Sequence, residues 1–586
     1  MKTAIRTGPL TVKCRIARPA PNSKPMRAIQ FHASPPTPAS WALGLATAFC
    51  LLIPSARGAT LVVTNLATIG PGTLRQALAD NFNLGGGHTV VFSNLTGTIT
   101  LAAELTVNAP VTIRGPGTNV LAVSGNNLFR VFTVIGGPTL ISDLTIRDGR
   151  VTGGSGQGGQ PNGEDAQGGG IYNLNSTLTI SNCLVLSNSV VGGVGAERQN
   201  AVVGRGGKGM GGGIHNQGGV LRLINTSLGG NQAQGGTGGG ANNGDAGEGG
   251  DALGGAIYTL TGTNQVIACN LADNVARGGE GGSSGDNGSG GFGGNGQGAG
   301  IYNQSVGIIW NSTLHHGSAV GGVGGTGNTT GANGSGYGGG IYVVSELALQ
   351  SSTIASNSAS GSATDWGGGL FNASTDFLNI TNSTIAGNQA DAGGGLYGSA
   401  NLANTILAAN TAGTAPDVQG TITSLDYNLI QNAAGATLLG ATDHVIVGSD
   451  PLLGPLQDNG GPTPTMALLP GSPALDQGKS FGLPTDQRGA PRLFDFASIA
   501  NAGDGDGSDI GAFELSLPAL SIARSGANSV LSWSTLGAGF RLQSVTNLAT
   551  SNNWTSVSET PLGIGSRFYV TNATSPARGF YRLIFP

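Results

Sequence analysis

The stretch GGGIYNLNSTLTISNCLVLSN, Gly168 to Asn188, decides the fold, because most of it is written again along the chain. Its opening recurs as GGGIHN at Gly211, GGAIYT at Gly254, GAGIYN at Gly298, GGGIYV at Gly338, GGGLFN at Gly367 and GGGLYG at Gly393, with starts 43, 43, 44, 40, 29 and 26 residues apart. Periodicity on this scale belongs to a solenoid or an array, in which each unit buries its apolar face against its neighbours. The close of the stretch recurs too, ending at Asn231, Asn274, Asn357 and Asn388. Eight places before that closing column stand Ile180, Leu223, Val266, Ile309, Leu349 and Ile380, and three places before it Val185, Leu228, Leu271, Leu314, Ile354 and Ile385.

These two apolar columns are five residues apart. Side chains of an unbroken strand alternate, so an odd offset sends them to opposite faces, and a bend must intervene. Asn182, Asn225, Asn311, Asn382 and Asn404 share a column between them, and Asn tolerates the left-handed backbone that such a bend needs. Short strands turned at stacked Asn residues, with Ile, Leu and Val inside, describe an all-β parallel β-helix. The two shortest repeats approximate one bare coil. The longer ones add Gly-rich loop insertions at one place, Arg150 to Gln167, Ser189 to Met210, Gln232 to Leu253, Val275 to Gln297 and Ser318 to Tyr337, which therefore stack along one side.

Composition agrees with repetition and excludes several functions. Of 586 residues 107 are Gly and only 10% are charged, which no conventional globular domain matches. The first 58 residues carry Lys2, Arg6, Lys13, Arg15, Arg18, Lys24, Arg27 and Arg57 and no acid, so the remainder is more acidic than the whole chain's net −4. Such a surface disfavours nucleic acid and anionic membranes. WALGLATAFCLLIP, Trp41 to Pro54, follows that basic stretch and precedes ARGA. It reads as a signal peptide cut after Gly58 or Ala59, being too short to span a bilayer, with Met26 as an alternative start. The mature chain then has no transmembrane segment and is secreted or held at the cell surface.

Cys14 and Cys50 leave with the leader, and Cys183 and Cys269 share one column with Thr226 between them. Two coils apart they stand roughly 9 to 10 Å from each other, too far for a disulfide. The column Tyr172, His215, Tyr258, Tyr302, Tyr342, Phe371 and Tyr397 has two readings, a platform for sugar rings or a packing ladder of like residues. Asp273, Asp365, Asp376 and Asp391 are candidates to meet across coils, and His315 and His316 are adjacent. The remaining acids lie largely in the insertions, and no HExxH and no Cys and His arrangement occurs. DGDGSD, Asp504 to Asp509, looks like a calcium loop but has Asp509 where an EF-hand needs Gly and Leu515 where it needs Glu. It reads as a solvated acidic turn, so no cofactor and no metal ligand is assigned.

GTLRQAL (Gly72 to Leu78), where Thr73 caps a short helix over Gly72 to Asp80, opens the mature chain. DNGGPTPTMALLPGSPALDQG (Asp458 to Gly478), TDQRGAPR (Thr485 to Arg492) and DIGAFE (Asp509 to Glu514) lie near its end. With these motifs the chain resembles the secreted right-handed β-helix proteins of the pectate-lyase-like superfamily that carry a choice-of-anchor Q domain. The resemblance covers about four fifths of the sequence and implies a right-handed solenoid, export and a terminal sorting segment. The expected organisation is leader 1–58, helical cap and first coils 59–149, repeats with insertions 150–448, choice-of-anchor Q-like segment 449–515 and a small C-terminal β module 516–586. The expected function is a monomeric, non-catalytic surface scaffold for adhesion or glycan binding. The alternative is a polysaccharide lyase or glycoside hydrolase acting in a groove, which needs paired carboxylates or a basic residue with bound calcium. A charged cluster facing a groove and lined by exposed aromatics favours the enzyme, and an uncharged sheet face favours the scaffold. Catalytic and ligand-binding residues are not identifiable from the sequence.

Overall fold

The computed structural model describes residues 58–585 except 158–159, 198–202, 286, 362–363, 376, 527, 535–539, 547, 549–553, 566 and 574–578. Leader residues 1–57 and Asp376 fall outside the described residues. One coil explains the rest. Ile171–Leu174 and Thr177–Ser181 run in a 20-stranded sheet, here sheet A, and Leu184–Leu186 runs in a 12-stranded sheet B. Every pairing in both sheets is parallel, and register is kept from coil to coil apart from one bulge between Asn216 and Gly219, so that Ile180 pairs with Leu223 on one side and Ile141 on the other. Parallel strands joined by such crossovers wind right-handed, and the chain is a right-handed parallel β-helix.

The bend expected at the Asn column is present: Asn182, Asn225, Asn311, Asn382 and Asn404 hold φ between 46 and 51°. From Gly168 onward the repeats also have two left-handed corners that the sequence did not announce. One falls at the first Gly of the triplet (Gly168, φ 57°, and its equivalents), and one at the residue before the closing Asn, where Ser187, Gly230, Asp273, His316 and Ser356 stand. Between corners the apolar columns point inward, and Ile180, Leu223, Val266, Val185 and Leu228 are wholly buried. The closing Asn column is buried as well and forms a ladder. Nδ2 of Asn188 donates to Oδ1 of Asn231 at 3.0 Å, Asn231 to Asn274 at 3.0 Å and Asn388 to Asn410 at 2.9 Å, and the run ends on Asp417 at 2.8 Å. Each amide also reaches the preceding coil, as Asn231 Nδ2 reaches Val185 O at 2.9 Å, so no buried polar group of the ladder is stranded.

The insertions are not loose loops but a hydrogen-bonded fin. Their bases form sheets of six and five strands, with Val190, Ala233, Ala276, Ala166 and Ala252 packed between them. Beyond the bases each insertion runs out and back as two extended arms. A zigzag of backbone bonds, each 2.8 Å, links the arms: Gly193 donates to Glu164, Gly207 to Gly193, Gly236 to Gly207, Gly250 to Gly236, Gly279 to Gly250, Gly294 to Gly279, Gly322 to Gly294 and Gly334 to Gly322. Gly236 and Gly239 bond the previous insertion's return arm, while Gly235 and Gly238 bond the next outward arm, a three-residue period shared with polyproline II. A Cβ on Gly250 would overlap the Gly207 carbonyl, and one on Gly236 would overlap Gly193. None of the zigzag glycines takes positive φ, so Gly is required by volume rather than by torsion.

Helix α1, Leu74–Asn83, begins under the Thr73 cap as expected and runs three residues past Asp80. It buries Leu74, Ala77 and Leu78 in the same core as the first coils, which covers an otherwise open edge. At the other end residues 449–515 lie across the outer face of sheet B. Gln487 is wholly buried there, donating to Thr313 Oγ1 at 2.7 Å and accepting from Thr353 Oγ1 at 2.6 Å. Ala512 N donates to Thr384 Oγ1 at 3.1 Å, and Asn404 Nδ2 to Asp509 O at 2.9 Å. Residues 521–584 follow as antiparallel sheets of four and three strands around Leu531, Trp533, Leu542 and Val570.

Candidate functional surfaces

The outer face of sheet A is the longest continuous surface, and its chemistry is neutral. Among the described residues its strands include Arg114 and Arg222 as charged side chains and no carboxylate. Successive coils present Thr179, Arg222, Gln265, Ile308, Ala348 and Asn379 in one register column. Arg222 Nε donates to Gln265 Oε1 at 2.8 Å. Sheet B is similar, with Arg147 as the charged residue of its described strands, and from Thr313 onward it is covered by the docked segment.

The aromatic column is a ladder. Tyr302 and Tyr342 stack with centroids 4.8 Å apart and planes 5° apart, Tyr342 and Phe371 at 5.0 Å and 26°, and Phe371 and Tyr397 at 5.3 Å and 12°. Rings stacked along the axis spend their faces on one another, whereas sugar binding needs an open face. Tyr337 and Trp366, from the base of the fin, add to the stack. His215 is wholly buried between Tyr172 and Tyr258, and neither ring nitrogen has a hydrogen-bond partner. Burial, helped by Arg130, holds its imidazole down at about 3.

Among the described residues, the acids named from the sequence do not assemble into a site. Asp365 Oδ1 accepts from Gly336 N at 2.6 Å, and Asp391 Oδ2 accepts from Asp365 N at 3.0 Å; both serve backbone amides. Asp273 lies at a different corner, beside His316. In the insertions Asp165 accepts from Lys208 N at 2.7 Å and Asp251 from Asn295 N at 3.0 Å, so these carboxylates also tie one coil to the next. Cys183 and Cys269 are free and buried, and burial pushes both thiols up to about 12.

The reading of DGDGSD as a solvated turn needs correction. Asp504 and Asp506 are exposed, but Asp509 is wholly buried. Its oxygens accept from Asp476 N at 2.9 Å and Leu515 N at 2.6 Å, while Glu514 accepts from Asp509 N at 3.0 Å. Arg492 is buried beside them and donates to Gly511 O at 3.0 Å. Burial raises the Asp509 and Glu514 carboxyls and pushes Asp476 up to about 6. These motif residues hold an irregular segment together from within, where regular strand pairing is scarce.

Sequence reading missed one His and Asp pair. Asp426 and Tyr427 hold φ of 84 and 56° at the corner between Val418–Leu425 and Leu429–Ile430, and Asp426 Oδ2 lies 2.7 Å from His444 Nδ1, at the corner of the following turn. Tyr427 stacks on His444 at 4.8 Å and donates to Gly503 O at 2.8 Å. Burial pushes the Asp426 carboxyl up, but the hydrogen bonds from His444 outweigh it and leave it below its ordinary value. The pair ties the final turn to the one before it, and Tyr427 ties that corner to the docked segment. No sequence motif marks it, because its members come from separate turns.

No protein-family model and no curated protein matches the chain. Among solved structures, a mannuronic acid specific polysaccharide family 6 lyase from human gut microbiota aligns over 66% of this chain and 92% of its own, at 10% identity and TM-score 0.21. The A-module of the Azotobacter vinelandii mannuronan C-5 epimerase AlgE6 aligns over 66% and 97%, at 13% identity and TM-score 0.20. The Yersinia enterocolitica family 28 exopolygalacturonase aligns over 66% and 78%, at 9% identity and TM-score 0.19. Scores this low carry no argument about this chain, whose fold rests on its own register and corners.

Proposed function

We propose that the chain is an exported, non-catalytic scaffold that holds neutral glycan along the outer face of sheet A while the fin projects beside it. The observation that carries this reading is the absence of any carboxylate from the described strands of sheets A and B. Glycoside hydrolysis calls for two carboxylates on either side of the bond, and a calcium-dependent lyase needs acidic ligands for its ion. What the face offers instead is amide and hydroxyl hydrogen bonding from Gln265, Asn379, Thr179 and their neighbours, chemistry suited to sugar hydroxyls. The scarcity of Lys and Arg on that face argues against acidic glycans.

The test is to incubate the purified protein with neutral glycans, pectin and alginate, with and without calcium, and to read retention and the release of reducing or unsaturated ends together. Retention of a neutral glycan without product, weakened by Gln265→Ala, is the expected result. Release of product, or retention confined to uronate polymers, would overturn the proposal.

A further inference from the structure

The two faces of the fin differ in how their charges are partnered. On the face of the return arms Arg205 pairs with Glu248 at 3.4 Å and Lys208 with Asp251 at 3.3 Å. On the face of the outward arms Arg277 and Glu280 are both exposed, and among the described residues neither has an ion-pair partner. An extended chain with three residues per turn shows every third side chain on one side. Accordingly Val194, Thr237, Glu280 and Val323 are exposed, and the two glycines before each are buried.

Two columns cross this face. The column nearer the solenoid runs Thr152, Val191, Gln234, Arg277 and Val320, paired in register from strand to strand. The outer column runs Ser155, Val194, Thr237, Glu280 and Val323. Its stacking is fixed by backbone bonds of the adjoining glycines: Gly156 N donates to Val194 O at 2.8 Å, Gly195 N to Thr237 O at 2.9 Å, Gly238 N to Glu280 O at 2.9 Å and Gly281 N to Val323 O at 2.8 Å. Layer by layer the two columns match in kind. Hydroxyl stands beside hydroxyl, valine beside valine, amide beside hydroxyl, guanidinium beside carboxylate and again valine beside valine. Such a face is complementary to itself after a half-turn about an axis parallel to the solenoid, because that rotation reverses the arms and keeps the order of the layers.

We propose that two copies of the chain pair fin to fin through this face, with Arg277 of each copy against the partner's Glu280. The valines flanking those charges then meet across the axis, covering Val194 and Val323, which are 45% and 60% exposed in the single chain. No other register serves as well: moving the axis out to the second column sets Glu280 against its own copy. Five layers about 4.8 Å apart and arms rising about 3.1 Å per residue from Ser189 to Glu197 give a patch of about 600 Å² on each copy. The resulting total of about 1,200 Å² is at the lower end of what specific interfaces bury. The arms are already locked by the backbone zigzag, so docking orders little that was free. A pair of chains therefore takes the place of the single chain expected from the sequence.

Sedimentation velocity on the purified protein at rising concentration is the test, and a dimer is the expected wild-type result. Glu280→Arg and Arg277→Glu each set like charges against each other twice in the interface. Either is expected to weaken dimerisation at least about 100-fold, with circular dichroism unchanged because both side chains are exposed. The double variant Arg277→Glu, Glu280→Arg restores both ion pairs and is expected to return the dimer, which a merely local effect of either substitution would not do. A wild type that stays monomeric up to about 100 μM, a single variant that dimerises as tightly as the wild type, or a double variant left monomeric would each overturn the proposal. Sheet A takes no part in this contact, so the outcome is independent of the glycan reading.

Discussion

His215 occupies a place where the same column elsewhere holds Tyr or Phe, and its burial gives it a measurable signature. A folded value of about 3 against 6.5 for the ordinary imidazole means that the folded state refuses a proton that the unfolded chain takes up. The stability it supports is present above pH 6.5 and is lost as the pH falls toward the folded value. His215→Phe, the residue found at 371, removes the penalty. The advantage of the variant over the wild type should be small at pH 8 and grow by at most about 1.4 kcal/mol for each pH unit below 6.5, read by urea unfolding at stepped pH. A constant difference would mean that the ring is hydrated or protonated in the native state. At this scale much was legible beforehand. The Ile, Leu and Val columns and the Asn bend follow from one alternation rule and one odd offset. The corner through Ser187, Gly230, Asp273, His316 and Ser356 was not legible, since stacked neighbours impose left-handed backbone on residues that share no side-chain chemistry.

Among the elements, the fin shows the widest gap between reading and structure. The insertions were rightly placed on one side, because they fall at one point of the repeat. Their internal order was missed, although GGEGG at Gly278 to Gly282 already writes glycine at the spacing that arms of three residues per turn require. The physical demand is close approach: arms of two layers bond through their backbones, so any Cβ facing the seam strikes a carbonyl. Gly250→Ala should therefore break the zigzag on both sides of residue 250 and speed amide exchange at Gly250, Gly279 and Gly294 by at least about tenfold, with the strands of sheet A unchanged. Gly244→Ala is the control. It sits in the fin at φ 91° with nothing near a Cβ, so its cost is backbone strain at its own turn and not a clash across the seam. Equal exchange in both variants would show that the arms are not bonded in solution.

Across the whole molecule the two ends of the solenoid are finished differently, and this sets where it should open first. At the N-terminal end α1 joins the same apolar core as the coils. At the other end the cover is lateral. Ile406, Ala408 and Leu429 of sheet B belong to a separate core with Leu475, Ile510 and Phe513 of the docked segment, whose own interior is held by buried carboxylates and Arg492. The terminal motifs were legible as a distinct segment, but their partners were not, because Gln487 meets Thr353 across 134 positions of sequence. In a stacked array each coil depends on its neighbours, so loss of cover acts locally and fades with distance. A chain ending at Gly448 should lose exchange protection at Thr384–Ala386 and Ile406–Ala408, where the outer face becomes bare, while Thr145–Arg147 and Leu184–Leu186 keep the protection they have in the full chain. Hydrogen exchange read by mass spectrometry on both chains separates the possibilities. A uniform loss would make the solenoid one cooperative block, and no loss anywhere would reduce the docked segment to a passenger on sheet B. A graded loss assigns it the work that α1 does at the opposite end, through a sheet face instead of a sheet edge.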